Sequence, residues 1–155
     1  MKIKLVAFDV DGVMTDGSLT FFEDGREIKT FNAKDGHGVV MLNRKGFITA
    51  IITARESEIV ERRAQMLEIT KVFQGAKNKI KALEALCEEF KVSFGEVAYM
   101  GDDLPDLCVL EKVALSGCPA DAVEEVKQKC KFISKKEGGK GAVREFCDLI
   151  IENYS

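Results

Sequence analysis

Short apolar runs recur along this chain, and the clearest of them stop at a polar residue. Lys4 to Phe8 (KLVAF) ends at Asp9. Phe47 to Thr53 (FITAIIT) ends on Thr53 itself. Val97 to Met100 (VAYM) runs into Gly101-Asp102-Asp103. Runs of this length without polar alternation suit strands covered on both faces. Lys71 to Gln74, Val113 to Leu115 and Phe132-Ile133 are shorter candidates. Between them lie stretches with helical spacing. They are Val39 to Lys45 (starting near Asp35), Ser57 to Leu67, Lys79 to Phe90, Leu104 to Lys112, Ala122 to Cys130 and Gly141 to Asn153. In Lys79 to Phe90, residues Ile80, Leu83, Leu86, Cys87 and Phe90 fall on one face. Strand alternating with helix implies parallel strands joined by right-handed crossovers. The predicted fold is therefore α/β, a three-layer Rossmann-like arrangement with a central parallel sheet, as one domain over 1–155.

One segment departs from the alternation. Ser18 to Asn32 (SLTFFEDGREIKTFN) has two β-rich runs around Asp24-Gly25, a hairpin signal. Its position after the first strand makes it an insertion at the carboxyl ends of the strands. Leu19, Phe21, Phe22, Ile28 and Phe31 give it more apolar surface than a protruding hairpin can cover alone, which predicts a contact between subunits.

Other classes are excluded by composition. A balance of 23 basic and 26 acidic residues, net −3, argues against nonspecific nucleic-acid binding. The longest apolar stretch, 47–54, is far short of a membrane span, and the acidic turn after residue 8 does not resemble a signal peptide. Five cysteines, an odd number spaced at least ten apart, predict reduced thiols in the cytoplasm. A single histidine, His37, leaves catalysis to carboxylates, hydroxyls and lysines.

In an open α/β sheet, ligands bind beyond the carboxyl ends of the strands. Asp9 and Asp11, two apart in extended backbone, face the same side, and Asp102 adds a third carboxylate. Clustered carboxylates call for a cation, and oxygen ligands in small number suit Mg²⁺. Gly12 permits an unusual backbone angle or a close approach. Thr53, followed by a helix start, makes an anion site, and Lys79 supplies positive charge to a phosphoryl oxygen. Each signal alone is commonplace. Their order, each at a strand end or the start of a following helix, is not.

FDVDGVMTDG, ITAR, the segment from Gly75 to Lys79, and GDDLPD resemble the four ordered motifs of the haloacid dehalogenase superfamily. FNAKDGHG (31–38) and EGGKGAVREFCDL (137–149) narrow the resemblance to its capless 3-deoxy-D-manno-octulosonate 8-phosphate phosphatases, which serve lipopolysaccharide sugar synthesis. The group acting on nine-carbon, sialic-acid-like sugar 9-phosphates is similar. The resemblance implies that Asp9 is the nucleophile, that Asp11 protonates the leaving oxygen and then deprotonates water, and that Thr53 and Lys79 hold phosphoryl oxygens. It implies Mg²⁺ on Asp9, the Asp11 carbonyl and Asp102, with Asp103 in support. Arg55, His37, Lys140 and Arg144 become candidate contacts for a small sugar phosphate. Ala54 stands where the group often has Gly, and Lys140 where it often has Arg.

Receiver domains also set Asp, Thr and Lys around Mg²⁺, but there the adjacent acidic pair comes first and the accepting Asp lies mid-sheet. Here the order is reversed. A non-catalytic assembly module is disfavoured by four intact motifs. Within 155 residues there is no space for a separate cap domain, so neighbouring subunits are expected to close the site. The family resemblance implies a homotetramer, with the 18–32 hairpin and the tail at 138–144 as the parts that reach across.

Overall fold

The computed structural model describes residues 1–155. After β1 (Leu5–Phe8) come the hairpin strands β2 (Thr20–Phe21) and β3 (Glu27–Ile28), then α1 (Ala33–Arg44), β4 (Ile48–Ile52), α2 (Glu58–Met66), β5 (Lys71–Phe73) and α3 (Lys79–Phe90). The second half runs β6 (Val97–Met100), α4 (Leu107–Leu110), β7 (Leu115–Cys118), α5 (Glu124–Lys129), β8 (Phe132–Ile133) and α6 (Ala142–Tyr154). Six strands form one parallel sheet in the order β5-β4-β1-β6-β7-β8. β1 is central, and the chain first builds outward on its β4 side, then on its β6 side. The crevice between the carboxyl ends of β1, β4 and β6 is thus the switch point where such sheets bind ligands.

Strand periodicity divides the core into two layers. Val6, Phe8, Ile51 and Met100 point to the side covered by α1, α2 and α6. Leu5, Ala7, Ile52, Val97 and Tyr99 point to the side covered by α3, α4 and α5. On the first side α1 lies close against α6. A Cβ added at Gly38 would meet Cys147 Cβ at 3.1 Å, so the helix interface uses the missing side chain.

Two local expectations are corrected. The strand expected at Val113 to Leu115 lies at Leu115–Cys118. Its Ser116 and Gly117 hide it from an apolar count. Ser116 Oγ accepts from Lys131 N at 3.0 Å, and Gly117 makes room for the Phe146 ring. The helix expected at Leu104 to Lys112 is split into a 3-10 turn, Leu104–Asp106, and the single turn α4. The cause is the buried Asp106 carboxylate, which turns back to accept from Asp102 N at 2.9 Å and Asp103 N at 3.2 Å.

The hairpin forms with Thr20 opposite Ile28 and Phe21 opposite Glu27. Gly25, at φ +90°, takes the left-handed position in its turn. Leu19, Phe21, Phe22 and Ile28 are exposed, while Phe31 packs half-buried beneath the Arg63 guanidinium. This hairpin is the insertion between β1 and α1. No helix is long and apolar enough to cross a membrane.

Candidate active site

Asp9 follows β1 directly. Its amide donates to Met100 O at 3.1 Å, which continues the sheet by one residue, and its Oδ1 accepts from Val10 N at 2.7 Å. The chain then turns sharply. Val13, Met14 and Thr15 amides all converge on Val10 O, and Thr15 Oγ1 accepts from Gly12 N and Gly17 N. Thr15, a residue of the first motif with no role assigned from sequence, is the buried hydroxyl that holds this loop. Gly12 has φ +85°, and a Cβ there would stand 1.9 Å from Asp102 Oδ2. Glycine is required on both counts. Gly138 and Gly139 close over the same turn from behind, with Gly139 N donating to Val13 O at 3.0 Å.

Asp9, Asp11, Thr53, Ala54, Arg55, Lys79, Asp102, Asp103 and Asp106 line one cavity of about 290 Å³ at the carboxyl end of the sheet. The structure therefore brings together the residues that four separate stretches of sequence nominated. Asn78 caps α3, which makes Lys79 its first residue and turns the Lys79 side chain inward, 3% exposed. Its ammonium lies 3.0 Å from Asp9 Oδ2 and 2.7 Å from Asp106 Oδ1. Burial would lower the Lys79 pKa, but the two carboxylates outweigh it and hold the ammonium above its ordinary value.

Asp106 was not singled out from sequence, yet it organises the site. Besides Lys79 it receives the Tyr99 hydroxyl at 2.6 Å and the two loop amides. Burial pushes the Tyr99 phenol well above its ordinary range, so it serves as a donor. The signal was present as Asp103-x-x-Asp106, a capping-box spacing that draws the second carboxylate back to the loop. Asp103, expected in support of the metal, lines the cavity beside Asp102, is exposed, and accepts at Oδ1 from Leu104 N at 2.8 Å.

Carboxylate oxygens of Asp9, Asp102 and Asp106 lie within 4.8 Å of one another. Against these three charges stands one buried ammonium, that of Lys79. The imbalance shows in the acidities. Burial first, then Asp9, Asp106 and Asp103, push Asp102 up to about 8. Burial and Asp106 push Asp9 up to about 6 against the pull of Lys79. A site of oxygen donors with excess negative charge, beside a glycine that leaves space, fits a hard divalent cation such as Mg²⁺.

The hairpin reaches this site from above. Lys29 Nζ lies 2.6 Å from Asp11 Oδ1, and Glu27 takes both Lys29 at 3.3 Å and the Arg55 guanidinium at 2.5 Å. Burial would raise Glu27, but hydrogen bonds from Arg55 and Lys29 bring its carboxyl below the ordinary range. Neither Lys29 nor Glu27 was found from sequence. In an alternating hairpin they read as solvent-facing charges.

Three candidate substrate residues do not join this cavity. His37 is exposed on α1. Lys140 pairs with Glu137 at 3.6 Å, and Arg144 with Asp148 at 3.1 Å. Lys140 and Arg144 line a second groove of about 520 Å³, with Lys34 and Lys136, between the starts of α1 and α6. Within one chain, only Arg55 of the four reaches the Asp9 cavity.

A haloacid dehalogenase-like hydrolase family model matches residues 39–146. The chain is 42% identical over 150 residues to the 3-deoxy-D-manno-octulosonate 8-phosphate phosphatase KdsC of Escherichia coli K12, covering 97% of this chain and 80% of that protein. A probable YrbI family phosphatase from Pseudomonas syringae superposes with TM-score 0.96 at 51% identity, over 97% of this chain and 85% of the other. The Moraxella catarrhalis octulosonate 8-phosphate phosphatase, solved with magnesium, phosphate and KDO, superposes with TM-score 0.96 at 39% identity, over 98% and 87%.

Proposed function

We propose, from the premise that this chain belongs to the haloacid dehalogenase-like hydrolases and among them to the 3-deoxy-D-manno-octulosonate 8-phosphate phosphatases, that it hydrolyses that sugar phosphate to free sugar and inorganic phosphate. The observation that carries this is the cavity itself, where Asp9, Asp11, Thr53, Lys79 and Asp102 converge. Mg²⁺, held by Asp9, the main-chain carbonyl of Asp11 and Asp102, would neutralise charge on the transferred phosphoryl group.

The residue roles are those the resemblance implies, and the meeting of these side chains in one cavity supports them. A carboxylate oxygen of Asp9 attacks phosphorus, and a new O–P bond forms as the bond to the sugar oxygen breaks. That oxygen keeps the electron pair and takes the proton of the Asp11 carboxyl. In the second half, Asp11 takes a proton from water, whose oxygen bonds to phosphorus. The Asp9–phosphorus bond breaks, and phosphate leaves with Asp9 restored. Splitting hydrolysis this way lets a positioned carboxylate do what free water does slowly. Lys79 and the Thr53 hydroxyl hold the phosphoryl oxygens, and Lys79, fixed by Asp106, needs no rearrangement to do so.

The eight-carbon substrate is favoured over a nine-carbon one by the relatives named for it, and Arg55 suits the carboxylate that either sugar carries. Its guanidinium stands at the cavity mouth on Glu27 and 3.8 Å from Asp11 Oδ2, where it can pair with a sugar carboxylate. The reading extends to a cytoplasmic homotetramer joined through the 18–32 hairpin. Four exposed apolar side chains there support it.

The test is Mg²⁺-dependent phosphate release from octulosonate 8-phosphate, nonulosonate 9-phosphates and hexose phosphates, with wild type and Asp9→Asn. Selective turnover of the first substrate, abolished in Asp9→Asn, is expected. Wild-type turnover by Asp9→Asn would remove the nucleophile assignment, and preference for a nine-carbon substrate would replace the substrate.

A further inference from the structure

Lys29 follows β3 on the small hairpin, yet its side chain is only 2% exposed. Lysine is almost never buried to that degree unless it is paired. Here the pairing is specific. The ammonium lies 2.6 Å from Asp11 Oδ1 and is steadied from the other side by Glu27 Oε1 at 3.3 Å. This is the one hydrogen bond the Asp11 side chain makes. Asp9, by contrast, is held by Val10 N and by Lys79. The rotamer of Asp11 therefore depends on a residue 18 positions away on the insertion.

We infer that Lys29 is a positioning residue for Asp11, which it ties by Oδ1 so that Oδ2 is presented to the leaving oxygen of the substrate. Oδ2 carries no hydrogen bond and lies 3.8 Å from Nη1 of Arg55, a residue that lines the cavity together with Asp11. This rests on Asp11 as the proton donor of the first step. In that step the Asp9–phosphorus bond forms and the phosphorus–sugar oxygen bond breaks. The leaving oxygen keeps the bonding pair and takes the proton from Asp11 Oδ2. A side chain free to rotate away from that line would deliver the proton less often. The hairpin is then a strut of the catalytic machinery as well as an apolar surface.

The leaving group separates this role from a structural one. A sugar alkoxide must be protonated as it departs. Dinitrophenolate leaves unprotonated. The value of kcat/KM, which reports events up to the first bond cleavage, is measured on octulosonate 8-phosphate and on 2,4-dinitrophenyl phosphate. The proteins are wild type, Lys29→Met, Lys29→Arg, Glu27→Gln and Asp11→Asn. Lys29→Met is expected to lower the sugar-phosphate value about 10²-fold and the aryl-phosphate value by less than about 3-fold, the margin that proton transfer supplies. Lys29→Arg restores most of the loss. Glu27→Gln shifts the ratio of the two substrates in the same direction by less, and it decides the matter if Lys29→Met does not fold. Equal losses on both substrates, or no loss on either, overturn the positioning role. Asp11→Asn then locates the fault. If it spares the aryl phosphate, the proton-donor reading stands without Lys29. If it damages both substrates alike, that reading falls as well.

Discussion

Lys79 Nζ is shared between two carboxylates, Asp106 Oδ1 at 2.7 Å and Asp9 Oδ2 at 3.0 Å, and the partner nearer to it is Asp106, not the proposed nucleophile. Asp106 also takes the Tyr99 hydroxyl and the amides of Asp102 and Asp103. One buried carboxylate thereby fixes the Lys79 ammonium, the loop after β6 and the sheet residue beneath them. Asp106→Ala leaves a buried ammonium half-paired and two amides without an acceptor. It is expected to cost about 3–5 kcal/mol, the range for breaking a buried pair, read as a lower urea midpoint. A midpoint unchanged from wild type would show that the loop holds itself.

The metal-free protein is expected to lose stability as pH rises. Asp9 titrates at about 6 and Asp102 at about 8, both above the ordinary 3.8. The folded chain thus retains protons that the unfolded chain has released. Their stabilising contribution is complete below the ordinary value and is lost as pH climbs through about 6 and then about 8. Mg²⁺ needs these oxygens ionised, so its rise in Tm grows over the same window. Thermal melts with Mg²⁺ or chelator across that range check this. Asp102→Asn should raise the metal-free Tm at the alkaline end and abolish the Mg²⁺ shift. A Mg²⁺ shift independent of pH would contradict it.

Gly12→Ala is expected to damage activity more than folding. The left-handed φ of +85° costs an alanine about 1–3 kcal/mol, and its Cβ would stand 1.9 Å from Asp102 Oδ2. Asp102 borders solvent and can swing aside, so the chain still folds. The carboxylate of Asp102, a proposed metal ligand, is then displaced by about an ångström, a misplacement that can lower kcat about 10²-fold. Mg²⁺ titration of activity should show a weaker apparent affinity alongside. Full activity with unchanged Mg²⁺ dependence would show that Asp102 is not needed where it lies.

The strands that matter for function were the easiest to read. β1, β4 and β6 are continuous apolar runs, and the polar residue ending each one marks the crevice. Lys79 was legible because it opens a stretch of helical spacing, and the structure adds that Asn78 caps that helix. What escaped was tertiary. Asp106 looks like one more turn residue until the loop folds it inward, and Lys29 looks like the polar face of a hairpin until the hairpin lies down on Asp11. β7 escaped for a different reason, since its Gly117 exists to receive Phe146 from a helix 29 positions later. Each of these residues is defined by a partner distant in sequence, and no local period records it.

The hairpin supplies the last prediction. Leu19, Phe21, Phe22 and Ile28 are 56%, 54%, 48% and 44% exposed on a segment whose two strands are only two residues each. So small a hairpin cannot bury them itself, and a pair of strands is marginal in water without a packed face. Leu19 and Phe21 are poor probes, because Leu19 lines the cavity and Phe21 lies under the Arg55 guanidinium. Phe22 and Ile28 have neither tie to the catalytic residues. Phe22→Asp with Ile28→Asp places charges on the apolar surface and should shift the proposed homotetramer to monomers, as read by light scattering. If subunit contact also braces the hairpin, Lys29 loses its hold on Asp11 in the monomer. Turnover of octulosonate 8-phosphate should then fall with dissociation, while the circular dichroism of the sheet and helices is kept. A double variant that remains assembled places the interface elsewhere. A fully active monomer shows that the hairpin holds Asp11 without help from a neighbour.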